Sequence, residues 1–333
     1  MVIRQPHSTL KTRHALIFGM IVLVSFCLSS CQKAQEKSPT AGKIKIITTL
    51  FPLYDFARAI GKDKAEVRLL LPPGVEAHAF EPKPADIARI YDADLFIFTG
   101  DAMEPWVAKI LKGVQSPKLV VIDSSKGISL MKAGPVSEEN DSGHTGHEHG
   151  SFDPHIWLDF DNAVKMVDTI TSGLISKDPA NQDFYLKNAQ EYQENLKALD
   201  NRYRTLLANC RKNMIVYAGH ASVGYLMRRY HIKFTAAYKG FSPDTEPTPR
   251  ALAEMVNIVK KNGLRYIYYE ELITPKIARI ISGETGAEML LLNGAHNISK
   301  QEYDSGVSYL ALMDANLKNL TKGMECRPQT SSP

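Results

Sequence analysis

The sequence lacks an apolar run long enough to cross a membrane as an ordinary helix: its most hydrophobic stretch, 15–27, holds thirteen largely apolar residues. It also lacks an excess of charge. The formal net charge is +4, and Arg4, Lys11 and Arg13 supply three of those charges with no Asp or Glu before residue 31. What remains is close to neutral, without a Lys/Arg-dense stripe or nucleic-acid motif, and no nucleic-acid partner is expected. No HExxH helix, nucleophile elbow or triad signature is present. With 44% hydrophobic and 23% charged residues over 333 positions, the chain is neither disordered nor fibrous. It is long enough for two core-bearing units.

Three basic residues followed by the apolar run read as the n- and h-regions of a secretory signal over 1–30. Leu28-Ser29-Ser30-Cys31 resembles the lipobox of bacterial lipoproteins, in which the cysteine thiol accepts a diacylglyceryl group. The polar segment 31–42 then reads as a flexible tether. The mature chain is expected outside the cytoplasmic membrane, in the periplasm or on the cell surface, and held there by lipid. Cysteine is scarce: Cys27 leaves with the signal and Cys31 takes the lipid, so Cys210 and Cys326 remain. Two cysteines in an oxidising compartment suggest one disulfide. Two free thiols are the alternative, because sequence does not reveal whether their Cα atoms approach.

From Lys43 on, short β-rich runs alternate with helical ones, with strands expected at 44–48, 67–71, 95–98 and 119–122. Helix-like segments around 54–60, 85–91 and 106–111 separate them. After a His-rich break the alternation resumes, with strands near 215–218, 234–237, 266–269 and 289–292 and a last helix over 308–322. Such alternation predicts an α/β fold of two βα lobes with parallel sheets. The lobes are placed at 43–177, with a His-rich loop at about 134–152, and at 211–325, followed by a tail over 326–333.

Between them, Asp178-Pro179 has the form of an N-cap with proline at the first helical position. Tyr185, Ala189, Tyr192, Leu196, Leu199, Tyr203 and Leu206 follow at spacings of four and three, predicting one long rigid helix over 178–210. A coiled-coil dimer is the competing reading. The seam spans only about three heptads and is mixed with tyrosines, which favours packing across both lobes of a monomer.

Three histidines sit where chemistry is expected. His78 lies in Pro72-Pro73-Gly74-Val75-Glu76-Ala77-His78, directly after a strand, where loops at strand carboxyl ends form the crevice of an open α/β sheet. His155 lies in Asp153-Pro154-His155-Ile156-Trp157-Leu158-Asp159, ahead of an amphipathic segment. His220 follows a strand in Tyr217-Ala218-Gly219-His220. Imidazoles from three separate loops make a borderline-soft metal site. A second set, His144, His147 and His149, lies in a Gly/Ser/Asp/Glu-rich segment too polar to pack and reads as an auxiliary metal-binding loop.

These motifs, with Ile47-Thr48-Thr49-Leu50-Phe51-Pro52-Leu53-Tyr54-Asp55, Phe80-Glu81-Pro82-Lys83-Pro84-Ala85-Asp86, Gly219-His220-Ala221-Ser222-Val223-Gly224-Tyr225 and Ser282-Gly283-Glu284-Thr285-Gly286, resemble the zinc/manganese ABC-transporter solute-binding proteins across 43–325. The resemblance implies a metal ion buried at the lobe interface and delivered to an ABC permease and its ATPase. It puts the first three ligands on His78, His155 and His220. The third is a histidine in zinc-type members and tends to be a carboxylate in manganese-type ones, so Zn²⁺ is the expected cargo and Mn²⁺ the less favoured one. The fourth position, usually Asp, falls on Asn293 in Leu291-Leu292-Asn293-Gly294. That departure leaves water, Asn293, Glu76 or His296 as the fourth donor.

Two other function classes stay open at this point. A zinc hydrolase would use three histidines and an open position, with Glu270 or Glu271 as a base, although that pair at a strand end also reads as solvated. A surface adhesin would need only the anchor. The lipid attachment has a direct check: Cys31→Ser should move the protein from the membrane to the soluble fraction, and unchanged fractionation would exclude acylation at Cys31.

Overall fold

The computed structural model describes Met1 and residues 42–132, 152–238 and 247–327. The lipobox with Cys31, the tether and the tract of His144, His147 and His149 lie outside the described residues. The chain runs β1 (Ile44–Thr48), α1 (Phe51–Gly61), β2 (Ala65–Leu69), α2 (Pro84–Tyr91), β3 (Leu95–Phe98), α3 (Trp106–Gly113), β4 (Val120–Asp123), α4 (Phe160–Lys177) and α5 (Gln182–Leu207). It continues through β5 (Met214–Ala218), α6 (Gly224–Arg229), β6 (Lys233–Ala236), α7 (Pro249–Asn262), β7 (Tyr266–Tyr269), α8 (Lys276–Thr285), β8 (Glu288–Leu291), α9 (Lys300–Ser305) and α10 (Tyr309–Gly323).

The strands form two four-stranded sheets, ordered β2-β1-β3-β4 and β6-β5-β7-β8, and every pairing is parallel. Each sheet therefore reverses direction of growth beside its first strand, which opens a crevice at the carboxyl ends. Local chemistry agrees with the boundaries. Prolines stand in the first turns of α1, α2 and α7, and Asp159, Thr248, Ser299 and Ser308 accept backbone N–H bonds at helix starts. Three strands sit one or two residues earlier than the alternation predicts. β2 begins at Ala65, paired with Ile44, β6 at Lys233, paired with Met214, and β8 at Glu288, paired with Tyr266.

Outer faces are covered separately: Ile90 and Val107 pack on the first sheet, and Met255, Val259, Ala278 and Ile281 on the second. Between the sheets lies one continuous core that includes Ile46 and Leu95 from the first sheet, Ile215 and Tyr268 from the second, and the apolar faces of α1, α4, α5 and α10. The two sheets thus share an interior.

Helix α5 has 26 residues and starts later than expected. Pro179 opens a separate 3₁₀ turn, Pro179–Asn181, while Asp178 closes α4 and its carboxylate accepts from Asn181 Nδ2 and Tyr185 Oη. The predicted stripe is buried except at its end, where Leu207 goes inward in place of Leu206, the shift a 3.6-residue turn imposes on a strict 3.5 repeat. Within the chain this stripe meets both halves. Tyr192 Oη donates to Asp55 Oδ2 on α1 at 2.8 Å, Asn188 Nδ2 to the Ile60 carbonyl at 2.9 Å, and Tyr203 Oη to the Met313 carbonyl on α10. The seam available to a coiled-coil dimer is therefore occupied internally.

Cys210, just past α5, is bonded to Cys326, just past α10. They are 116 positions apart, so in the chain-entropy model the bond stabilises the fold by about 4–5 kcal/mol. Cys326→Ser should lower the urea midpoint accordingly, and unreduced, denatured protein should leave both sulfurs unalkylated; labelling at either would refute the bond.

Candidate metal centre

Backbone geometry brings four imidazoles to one point. His78 is carried by the loop after β2, His155 by the turn before α4, His220 by the loop after β5 and His296 by the loop after β8. One ring nitrogen from each lies within 4.8 Å of all the others. His155 Nε2 stands 3.3 Å from His78 Nε2 and 3.3 Å from His220 Nε2. The rings pack at centroid separations from 4.8 Å (His155 to His296) to 5.6 Å (His78 to His296). His155, His220 and His296 are buried, and His78 is largely buried with a small exposed part.

Carboxylates behind three of these rings orient them. Asp153 Oδ1 is 2.7 Å from His155 Nδ1 and also accepts from the His155 backbone N–H. Glu270 Oε1 is 2.7 Å from His220 Nδ1 without hydrogen-bond alignment, and its Oε2 accepts from the His220 backbone N–H. Glu271 Oε1 is 3.1 Å from His296 Nδ1, while Oε2 accepts from Gly294 N at 2.7 Å. At His155 and His296 the carboxylate on Nδ1 favours a hydrogen on that nitrogen and turns Nε2 inward. His296 Nε2 is buried with no hydrogen-bond partner among the described residues. Glycines permit these approaches: a Cβ on Gly219 would come within 2.6 Å of Glu270 Oε2, and one on Gly294 within 2.5 Å of His296 Cε1.

Burial, then the fields of His296 and His220, holds His78 down to about 2. Burial also drives His155 well below the ordinary imidazole range. Burial opposes charge on His296, but its bond to Glu271 and the fields of Glu271, Glu270 and Glu76 outweigh that and raise it. Asp153 is pushed up to about 7 by burial. Two imidazoles are thus held neutral, the protonation state a metal requires.

The three histidines singled out by sequence come together, joined by His296. Asn293 is elsewhere engaged: its Oδ1 accepts from Ala295 N, and its backbone N and O bond the side chain of Asn316. Glu76 folds onto its own turn, accepting from His78 N and Ala79 N. Glu270 and Glu271 are not a solvated pair; both are buried against histidines. Sequence reasoning gave no role to Asp153, although its place two residues before His155 is the spacing of an Asx turn. It also passed over Trp157, whose Nε1 donates to the Gly294 carbonyl across 137 positions.

Residues 46–323 match the profile of the family described as "Zinc-uptake complex component A periplasmic". The chain is 38% identical over 305 residues to the "High-affinity zinc uptake system protein ZnuA" of Bacillus subtilis, covering 92% of this chain and 95% of that one. It is 35% identical over 301 residues to the "Zinc-binding lipoprotein AdcA" of Streptococcus pneumoniae, covering 90% of this chain and 60% of the length of AdcA. Among solved structures, the Zn(II)-bound ZnuA-like domain of that AdcA superposes with a TM-score of 0.72 at 34% identity, covering 85% of this chain and all of the domain. With its parallel two-sheet fold and a four-histidine cluster at the strand ends, the chain belongs to the family of periplasmic zinc-uptake component A proteins.

Proposed function

We propose that this chain is the extracytoplasmic zinc-binding component of an ABC importer, holding Zn²⁺ on His78, His155, His220 and His296 and passing it to the permease and ATPase. Its two lobes, 43–177 and 211–325, would present the ion between them, and a lipid on Cys31 would hold the monomer at the membrane. Among the described residues no helix is long and apolar enough to cross a membrane. The chain's work is capture and release, without turnover.

One observation carries this reading. Nitrogens each about 2.0–2.1 Å from a tetrahedral zinc ion stand about 3.3 Å apart, the separation of His155 Nε2 from both His78 Nε2 and His220 Nε2. Four imidazole donors also suit Zn²⁺ over Mn²⁺, which favours oxygen ligands and lies low in the divalent affinity order. Competition titration tests the ligand set. His296→Ala should weaken zinc binding by at least about tenfold, the scale on which even a ligand's supporting residue acts, and Asn293→Asp should not recruit Mn²⁺. Wild-type protein binding both metals equally would overturn the zinc preference, and Asn293→Asp gaining Mn²⁺ would move the fourth position to residue 293.

Unperturbed imidazoles would make affinity fall steeply through about pH 6.5 as three protons compete with the metal. Burial changes that expectation by holding His78 and His155 neutral, while the bond to Glu271 raises His296. Binding should then release fewer than about three protons per ion near pH 7, and affinity should rise with pH as His296 loses its proton. Calorimetry in buffers of different ionisation enthalpy measures this number, and release of about three protons would contradict the neutral state assigned to the two buried rings.

A further inference from the structure

His78 is the least buried of the four imidazoles, so an ion leaving the cluster meets the loop that carries it, 72–78. That loop is fastened to the opposite half of the molecule at one place. Asn297, fully buried and next in sequence to His296, donates from Nδ2 to the Pro72 carbonyl at 2.7 Å and to the Val75 carbonyl at 2.9 Å. Gly74 N donates back to the Ile298 carbonyl at 2.8 Å. The remaining polar atom of the amide, Oδ1, accepts from Ile298 N. Both N–H groups of one side chain are therefore spent across 222 and 225 positions, on the loop that bears a different histidine from the one beside it.

The base of the latch is itself held. Ala295 has a left-handed backbone, φ 56°, which a non-glycine residue keeps only where surrounding contacts over-determine it. Here Gly294 is bonded by Glu271 and Trp157, and the His296 carbonyl accepts from Phe51 N at α1. Asn297 thus projects from a stiff turn.

We propose that Asn297 is a latch that sets how fast the ion leaves, by clasping the His78 loop to the His296 turn. The Asn297 side chain bonds Pro72, Val75 and Ile298 and none of the four rings, and acts as a positioning residue. The inference rests on the zinc-binding reading above. Because an open site has no such clasp, its loss should appear in dissociation and leave association unchanged.

The test loads the full chain with Zn²⁺ and follows release into excess chelator by stopped flow. Asn297→Ala removes three neutral hydrogen bonds, two of them across the clasp, and should speed release on the order of tenfold. Asn297→Asp keeps the shape but turns the donor into an acceptor facing two carbonyls. It should also speed release, although a new negative charge near a cation would by itself slow it. Release at the wild-type rate or slower from Asn297→Ala overturns the latch, as does slower release from Asn297→Asp. If the Asp variant fails to fold, judged by circular dichroism, the Ala variant decides. A wild-type chain that takes up no zinc sinks the underlying reading instead, which separates the two failures.

Discussion

Four imidazole nitrogens crowd one point, and once deprotonated for a metal their lone pairs repel one another; the rest of the structure is arranged to hold them together. No segment of this chain places two of them: His78, His155, His220 and His296 arrive on four separate loops. Their approach depends on both sheets, on the turn before α4 and on the carboxylates behind the rings. Rotating the His155 or His296 ring to present its other nitrogen would lose its carboxylate and break the convergence. Asp153, Glu270 and Glu271 therefore help to hold the rings in place.

Rigidity comes from sharing the interior between the sheets. Helix α5 contacts α1 through Tyr192 and Asp55 and α10 through Tyr203, and Asp55 also accepts from the Tyr309 backbone at the start of α10. Arg229 adds a second tie, bonding Asp159, Asp161 and Asp200 while its own side chain is buried. Asp159 caps α4 four residues after His155, so the position of that ring is tied to α5 and α6 together. With the sheets braced in this way, the loops that carry the four imidazoles start from a fixed frame.

Much of this was legible before the structure. Strict strand and helix alternation marked eight parallel strands, and the stripe from Tyr185 to Tyr203 marked the long helix, because both patterns depend on local periodicity. His78, His155 and His220 were legible as loop histidines beside strand ends or a helix start. The fourth ring was harder. Asn293 holds the position where a carboxylate was expected, and only the turn through Gly294 and Ala295 decides that the side chain three residues on faces the cluster. Glu270 and Glu271 looked solvated for a similar reason. Adjacent acids at a strand end carry no local sign that histidines 50 and 25 positions away will cover them. Asn297 was invisible, since its partners lie more than two hundred positions earlier.

Placing carboxylates behind the imidazoles has a chemical consequence that a carboxylate among the ligands would not have. In the ring, an Asp or Glu offers hard oxygen and opens the site to Mn²⁺. Behind it, the same charge makes the imidazole a better donor while the metal still meets nitrogen. This order needs room, and Gly219 and Gly294 provide it: a Cβ at either would strike the carboxylate or ring that it now lets through. The arrangement thus depends on two missing side chains, because a Cβ at Gly219 would press on Glu270 and one at Gly294 on the His296 ring.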